Sequence, residues 1–234
     1  MAERLRLGKC VHCLKEDVPT TDDHVFPSSW YPDITPPTVQ RWTVPSCMDC
    51  NQKLGQLEKD LLVRLPLCID PSLEAVSGLA SKALRSLGLD ADGLREEEKA
   101  YRDKFRAKIR SELMPYADVA GQPGAIPGCT LWEGNGETEP FAIPIPWAAL
   151  IIIAEKIACG CEYKLKDRYV ELPYGIRTFI TNPNVVNSLF ASFGRLIDFG
   201  PGCQVMRIFV TEDPKRVRYR IAVWGLCVFT FGST

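Results

Sequence analysis

The sequence has no long apolar run. Its longest apolar stretch, Ile145 to Ile153, is broken by Pro146 and followed by Glu155 and Lys156. That is far short of the ~18 residues needed to cross a bilayer. The first residues, Met-Ala-Glu-Arg-Leu-Arg, lack the apolar core of a secretory leader. Together these absences predict a cytoplasmic protein with no membrane partner. Charge of one sign is also lacking: 28 Lys and Arg balance 29 Asp and Glu, for a net charge of −1. Global attraction to nucleic acid is thereby excluded, and such a partner must be met by a local basic face or a bound cation. Internal repeats and low-complexity segments are absent, which excludes solenoid, collagen and coiled-coil architectures. Histidine is scarce, with His12 and His24 alone in the chain.

What remains is an ordinary globular composition, 46% hydrophobic and 24% charged over 234 residues. That length allows one or two domains and a core that needs no disulfide. Cysteine is plentiful, with ten residues, and a reducing compartment disfavours pairing them as disulfides. Four form two spaced pairs, Cys10-Val-His-Cys13 and Cys47-Met-Asp-Cys50, with 33 residues between them. Two residues between cysteines let both thiolates turn toward one ion, and two such knuckles complete a tetrahedron. The pattern predicts structural zinc on Cys10, Cys13, Cys47 and Cys50. His12, inside the first knuckle, reads as a surface imidazole beside the site in preference to a ligand. The other six, Cys68, Cys129, Cys159, Cys161, Cys203 and Cys227, read as small buried hydrophobes.

The pattern along the chain predicts an α+β protein. Residues 5–14 and 39–44 read as short strands separated by a proline-rich loop. Leu54, Leu57, Leu61, Leu62 and Leu65 recur at helical spacing from Asn51 until Pro66. Residues 71–87 and 94–114 read as two further helices. Proline and glycine crowd residues 115–145, which suits a boundary. Beyond it come a helix over 147–158, a hairpin over 163–172 and a short helix over 185–193. Two long strands, 205–211 and 217–231, flank a turn at 212–215. The expected division is 1–66 for a zinc-stabilised finger, 67–115 for a helical connector and 116–234 for a C-terminal α+β domain. The last would serve targeting, sensing or self-association, including as a homo-oligomer.

Asp23-His24-Val25-Phe26-Pro27 lies between the two knuckles, and Asn51-Gln52-Lys53 follows the second directly. With Cys10-x2-Cys13 and Cys47-x2-Cys50, this text resembles the HNH endonucleases, a ββα-metal nuclease family with a four-cysteine zinc subgroup. The resemblance spans residues 8 to about 65. It implies that His24 is the general base that activates water, a role imidazole suits near neutral pH. It implies that Asp23 and Asn51 hold a catalytic divalent cation, Mg²⁺ or Mn²⁺, through hard oxygen atoms. Zinc would then be structural, anchoring the strand that carries Asp23 and His24 against the helix that carries Asn51. Two positions depart from the family. Trp42 stands where most members carry a central Asn, leaving Gln40 or a backbone carbonyl to orient His24. Asn51 replaces the final His, as is common in the subgroup. Glu58, one or two turns along the helix, either points back toward the metal or, as the favoured reading, is a solvated carboxylate.

The implied function is a metal-dependent endonuclease that hydrolyses phosphodiester bonds in DNA, with RNA as a second possible substrate. The layout is similar to that of small bacterial and phage HNH proteins, host-defence and mobile-element nucleases among them. The other reading is a non-catalytic zinc-binding module for nucleic acid or protein. Lys53 is placed to contact a phosphate. Arg102, Arg106 and Arg110 share one helix face with Lys99, either as a phosphate-contacting stripe or as a solvated face balanced by interleaved acids. Arg207, Lys215, Arg216, Arg218 and Arg220 offer a second basic patch, against the alternative that these strands simply form core.

Overall fold

The computed structural model describes residues 6–69, 73–87, 95–119, 141–170, 177–179, 194–209, 217–224 and 227–232. The fold is α+β. β1 (Arg6–Gly8), β2 (Val18–His24) and β3 (Thr43–Cys47) form an antiparallel sheet in that order, and α1 (Met48–Arg64) follows β3 directly. α2 (Leu79–Ser86) and α3 (Glu96–Glu112) come next. A two-stranded ribbon, β4 (Met114–Pro115) with β5 (Phe141–Ala142), leads to α4 (Trp147–Lys166). β6 (Arg177–Phe179), β7 (Arg195–Asp198), β8 (Cys203–Phe209), β9 (Val217–Val223) and β10 (Cys227–Gly232) build a second sheet in the order β6-β10-β9-β8-β7, antiparallel throughout. Among the described residues, no helix is long and apolar enough to cross a membrane.

Four features differ from the pattern-based expectation. β2, which carries Asp23 and His24, is a strand as the family resemblance implies, where the apolar pattern alone reads as loop. Its sequence Val-Pro-Thr-Thr-Asp-Asp-His has no apolar alternation, because its inward positions Thr21 and Asp23 are buried polar residues. α2 begins at Leu79 and not at residue 71. Gly78 precedes it at φ 77°, a left-handed conformation that breaks a right-handed helix. Where a hairpin is expected over 163–172, residues 163–166 are instead the last turn of α4, which stops at Asp167 with φ 50°, and 171–172 lie outside the described residues. Tyr-Lys-Leu-Lys alternates like a strand, yet the helix continues because it buries Cys159, Cys161 and Glu162. The strand expected over 217–231 is two strands. Trp224, at φ 51°, turns the chain between β9 and β10. The expected helix over 185–193, the turn at 212–215 and most of the 115–145 boundary lie outside the described residues.

One hydrophobic core runs through both sheets. It includes Val11, Val25, Phe26 and Val44 near the first sheet, and Leu54 and Leu61 on α1. It continues through Ile153 and Ile157 on α4 to Val205, Ile221 and Trp224 of the second sheet. The β2–β3 connection supplies the docking residues. Phe26 packs on Phe199 with ring centroids 4.8 Å apart. Trp30 packs on Trp224 at 5.4 Å, and the Trp224 Nε1–H donates to the Trp30 carbonyl at 2.9 Å. β9 alternates strictly, with Val217, Tyr219, Ile221 and Val223 buried and Arg218 and Arg220 half-buried. α4 passes Val25, the residue after β2, at Gly160, where a Cβ would stand 2.8 Å from Val25 Cγ2. Only a glycine allows that approach, and it brings the preceding turn of α4, with Lys156, up to the first sheet.

Candidate metal centre and its surroundings

The zinc-ligand pattern becomes a cluster in three dimensions. Cys10 and Cys13 sit in the turn after β1, Cys47 ends β3, and Cys50 lies in the first turn of α1. Their four Sγ atoms all lie within 4.8 Å of one another. Cys13 Sγ and Cys47 Sγ are 3.7 Å apart, against ~3.8 Å for a tetrahedral edge built from Zn–S bonds of about 2.3 Å. Leu14 and Asp17 adopt left-handed backbone conformations, φ 61° and 53°, and so fold the knuckle back on itself. The Cys47 N–H donates to Cys10 Sγ at 3.3 Å. Burial alone would raise the Cys10 thiol, but the N–H groups of Cys47, Cys13 and His12 outweigh it and hold the pKa down to about 6. Burial and the neighbouring sulfurs push the Cys50 thiol up. Four sulfurs so crowded cannot all carry charge without a cation, and a divalent ion that prefers thiolate removes the conflict. The residues therefore fit zinc. Cys159, Cys161 and Cys203 are buried singly, as expected for small hydrophobes. The side chains of Cys68, Cys129 and Cys227 lie outside the described set.

Asp23 follows from the same frame. It is the penultimate residue of β2, paired with Val44 of β3, and it is 6% exposed. Both carboxylate oxygens are engaged. Lys156 Nζ donates to Oδ1 at 2.8 Å, and His12 Nε2–H donates to Oδ2 at 3.0 Å. Burial would raise the Asp23 carboxyl, but the His12 hydrogen bond and the Lys156 charge hold it below the usual range. Lys156 also donates to Glu58 Oε1. Burial raises the Glu58 carboxyl, more than Lys156 offsets, and the Asp23 charge adds to the rise. Two expectations are corrected here. His12 is not a surface imidazole, since its side chain is 8% exposed and faces Asp23. Glu58 is not solvated but ion-paired to Lys156. In this arrangement Asp23 does not fit a divalent cation, because an ammonium already holds the oxygen that would bind it.

His24 ends β2 opposite Thr43. Successive side chains of a strand alternate between faces, so Asp23 shares the Thr21 face while His24 lies on the other. His24 is half-buried, and among the described residues its buried Nδ1 has no hydrogen-bond partner. Burial lowers its pKa against the pull of Asp23, and the charges of Lys156 and Arg41 lower it further. The imidazole is thus neutral near pH 7, the form a base requires. Asn51 stands one turn into α1, and its Nδ2 donates to Thr21 Oγ1 at 2.9 Å. That bond ties α1 to the face of β2 that carries Asp23.

The predicted phosphate contacts separate. Lys53 and Arg110 are exposed. Arg106 donates from Nε and Nη2 to the Leu87 carbonyl, at 2.9 and 2.7 Å, and Arg102 reaches the Arg85 carbonyl at 3.3 Å. These two arginines cap the C-terminal end of α2, where the helix leaves carbonyls without intrahelical donors. Arg207, from the second basic patch, is buried and ion-paired to Glu162. Lys156 escaped the sequence reading, although a signal was present. It is a lysine on the face of α4 that Ile153, Ile157 and Gly160 bury, and a buried lysine requires an anionic partner.

Comparison of the chain with protein-family models, with curated proteins and with solved structures gives no match.

Proposed function

We propose that residues 6–64 form a zinc-stapled ββα head of the HNH type and that the chain hydrolyses phosphodiester bonds, with His24 as general base. The observation that carries this reading is the position of the cysteine cluster. It joins the turn before β2 to the β3–α1 junction, and so fixes the strand that ends in Asp23 and His24 beside the helix that carries Asn51. Hydrolysis needs a base that is unprotonated near neutral pH. A half-buried neutral imidazole whose Nδ1 has no partner among the described residues meets that need. Lys53, exposed on α1 two residues beyond Asn51, is the nearest candidate to contact a phosphate. DNA is the first substrate to test and RNA the second.

One observation favours a different reading, a non-catalytic zinc module for nucleic acid or protein. Asp23 is ion-paired inside the molecule to Lys156 and hydrogen-bonded to His12. The experiment is cleavage of plasmid DNA, single strands and RNA with Mg²⁺ or Mn²⁺ added, for wild type and His24→Ala at equal zinc content. The nuclease reading expects wild type to cut and the variant to be slower by ~10²–10⁴-fold. Equal cutting by both removes His24 from the mechanism. Silence from wild type on every substrate, with zinc intact, selects the binding module.

A further inference from the structure

Asp23 and His24 lie on opposite faces of β2, and α4 packs on the Asp23 side through Lys156. We propose that Arg41 forms, beside His24 on the other side, a seat for a nucleic-acid phosphodiester, whose non-bridging oxygens its guanidinium binds. This deepens the proposed function. It rests on the reading that the His24 face of the head meets nucleic acid, and it does not require that nucleic acid to be cut.

Backbone pairing places the arginine. His24 is the last residue of β2 and pairs with Thr43. The Val25 N–H donates to the Trp42 carbonyl at 2.9 Å, so antiparallel pairing runs one residue past the strand ends. Side chains alternate between faces. Val44 is buried and Trp42 packs on Phe199 at 5.1 Å, so Thr43 and Arg41 take the face that carries His24. Arg41 is therefore the diagonal neighbour of His24, roughly 7–8 Å away between backbone positions, a gap that an arginine side chain spans.

The guanidinium is held but uncommitted. Its Cζ stands 4.8 Å from the ring centroid of Tyr31, a cation–π contact. Tyr31 is 1% exposed and its carbonyl accepts from Lys82 Nζ, which makes the ring a fixed platform. That contact consumes none of the N–H donors of the guanidinium. Arg41 is exposed, and among the described residues it has no ion pair or hydrogen bond. Arg64, Arg102 and Arg106 differ, because acids or carbonyls occupy them. A planar fork with free donors matches a phosphate in bidentate fashion. His24 is uncommitted in the same way at Nδ1, and the Arg41 charge already acts on its imidazole. Asp22 is exposed on that face too, but it lies on the far side of His24 from Arg41, so the seat opens toward the arginine. Arg41 binds the phosphate and moves no proton. It complements Lys53, which stands on α1.

The test is fluorescence anisotropy of short labelled oligonucleotides, as single-stranded DNA, duplex DNA and RNA. The full zinc-loaded chain is used without Mg²⁺ or Mn²⁺, so that nothing is cut. Arg41→Gln is expected to weaken binding about tenfold or more for each form that binds, and to lower the salt slope by about one phosphate contact. Arg41→Lys keeps the charge and loses the fork, so it should keep the slope and recover part of the affinity. Melting should match wild type in both, since the residue is exposed. Histidine-labelled NMR locates the contact, because His12 and His24 are the only histidines. Oligonucleotide should shift the His24 signal in wild type, and Arg41→Gln should need correspondingly more of it for the same shift. Binding unchanged in Arg41→Gln, binding that leaves the His24 signal unmoved, or no binding of any of the three forms at low salt each overturns the inference. Binding that depends on Arg41, in a chain that cuts no plasmid, supports the inference and removes hydrolysis alone.

Discussion

Stripping zinc from the chain, or replacing Cys10 or Cys50 with Ser, unfolds the first sheet and the start of α1. Hydrogen-exchange protection over residues 6–24 and 43–54 should collapse, while α4 and the second sheet retain theirs. The expected effect is large because structural zinc supplies ~10–16 kcal/mol of apparent binding free energy in small peptides. That compares with ~5–15 kcal/mol for the whole stability of a typical domain. The sheet has little apolar packing of its own. β1 has three residues and β3 five, and beside Val44 the inward residues Thr21, Asp23 and Ser46 are polar. The knuckle also holds Leu14 and Asp17 in left-handed conformations, at roughly 1–2 kcal/mol each for residues other than glycine. Phe26 and Trp30 stay docked on the second sheet through Phe199 and Trp224, which confines the loss to the head. Protection that is unchanged in chelator, with zinc verified as absent, would refute this account of the head.

A second large effect is expected at Glu162, far from the cysteines. Glu162 is buried in α4, and its Oε1 accepts from Arg207 Nε at 2.9 Å and from the Tyr219 hydroxyl. Its Oε2 pairs with Arg168 at 2.6 Å. The network ties α4 to β8 and β9. Burial and the Glu162 charge push the Tyr219 phenol up, so the hydroxyl remains a donor at any ordinary pH. Glu162→Ala removes the carboxylate that pairs with the buried Arg207 guanidinium. Removal of one partner from a buried ion pair costs ~3–5 kcal/mol. At about 2–4 °C per kcal/mol for a chain of this size, melting should fall by ~6–20 °C. Replacing both partners with apolar residues, Glu162→Leu with Arg207→Leu, should recover most of that loss, because a buried pair gains little over a packed apolar pair. A drop of only a degree or two in Glu162→Ala would show that the network carries no such weight.

The sequence made the metal centre legible because its chemistry lies in spacing. Two C-x2-C pairs need only a hairpin and a helix start between them to converge, and α1 begins at Met48 so that Cys50 falls in its first turn. The apolar periodicity of α1 and the charged length of α3 were equally plain. β2 was hidden because the strand that matters most to the site is its least apolar one. Its inward carboxylate is stabilised by His12 and Lys156, and those partners lie 11 residues before Asp23 and 133 residues after it. No local window holds that information. The same holds for the docking of the head. Phe26 and Trp30 sit in a connection rich in proline that reads as surface loop, and their partners Phe199 and Trp224 are set by the second sheet. The break after β9 includes a left-handed Trp224 inside an apolar run, which periodicity cannot register. A lysine on the buried face of α4 was the one visible mark of the carboxylate pair.

The central claim is that the four cysteines bind zinc and so fix the strand of Asp23 and His24 against α1. Zinc K-edge X-ray absorption on the purified chain tests it most directly. The account predicts one zinc per chain in a shell of four sulfurs at about 2.3 Å. A chain that retains no zinc, or a shell with nitrogen or oxygen at about 2.0–2.1 Å in place of one of the sulfurs, would contradict it.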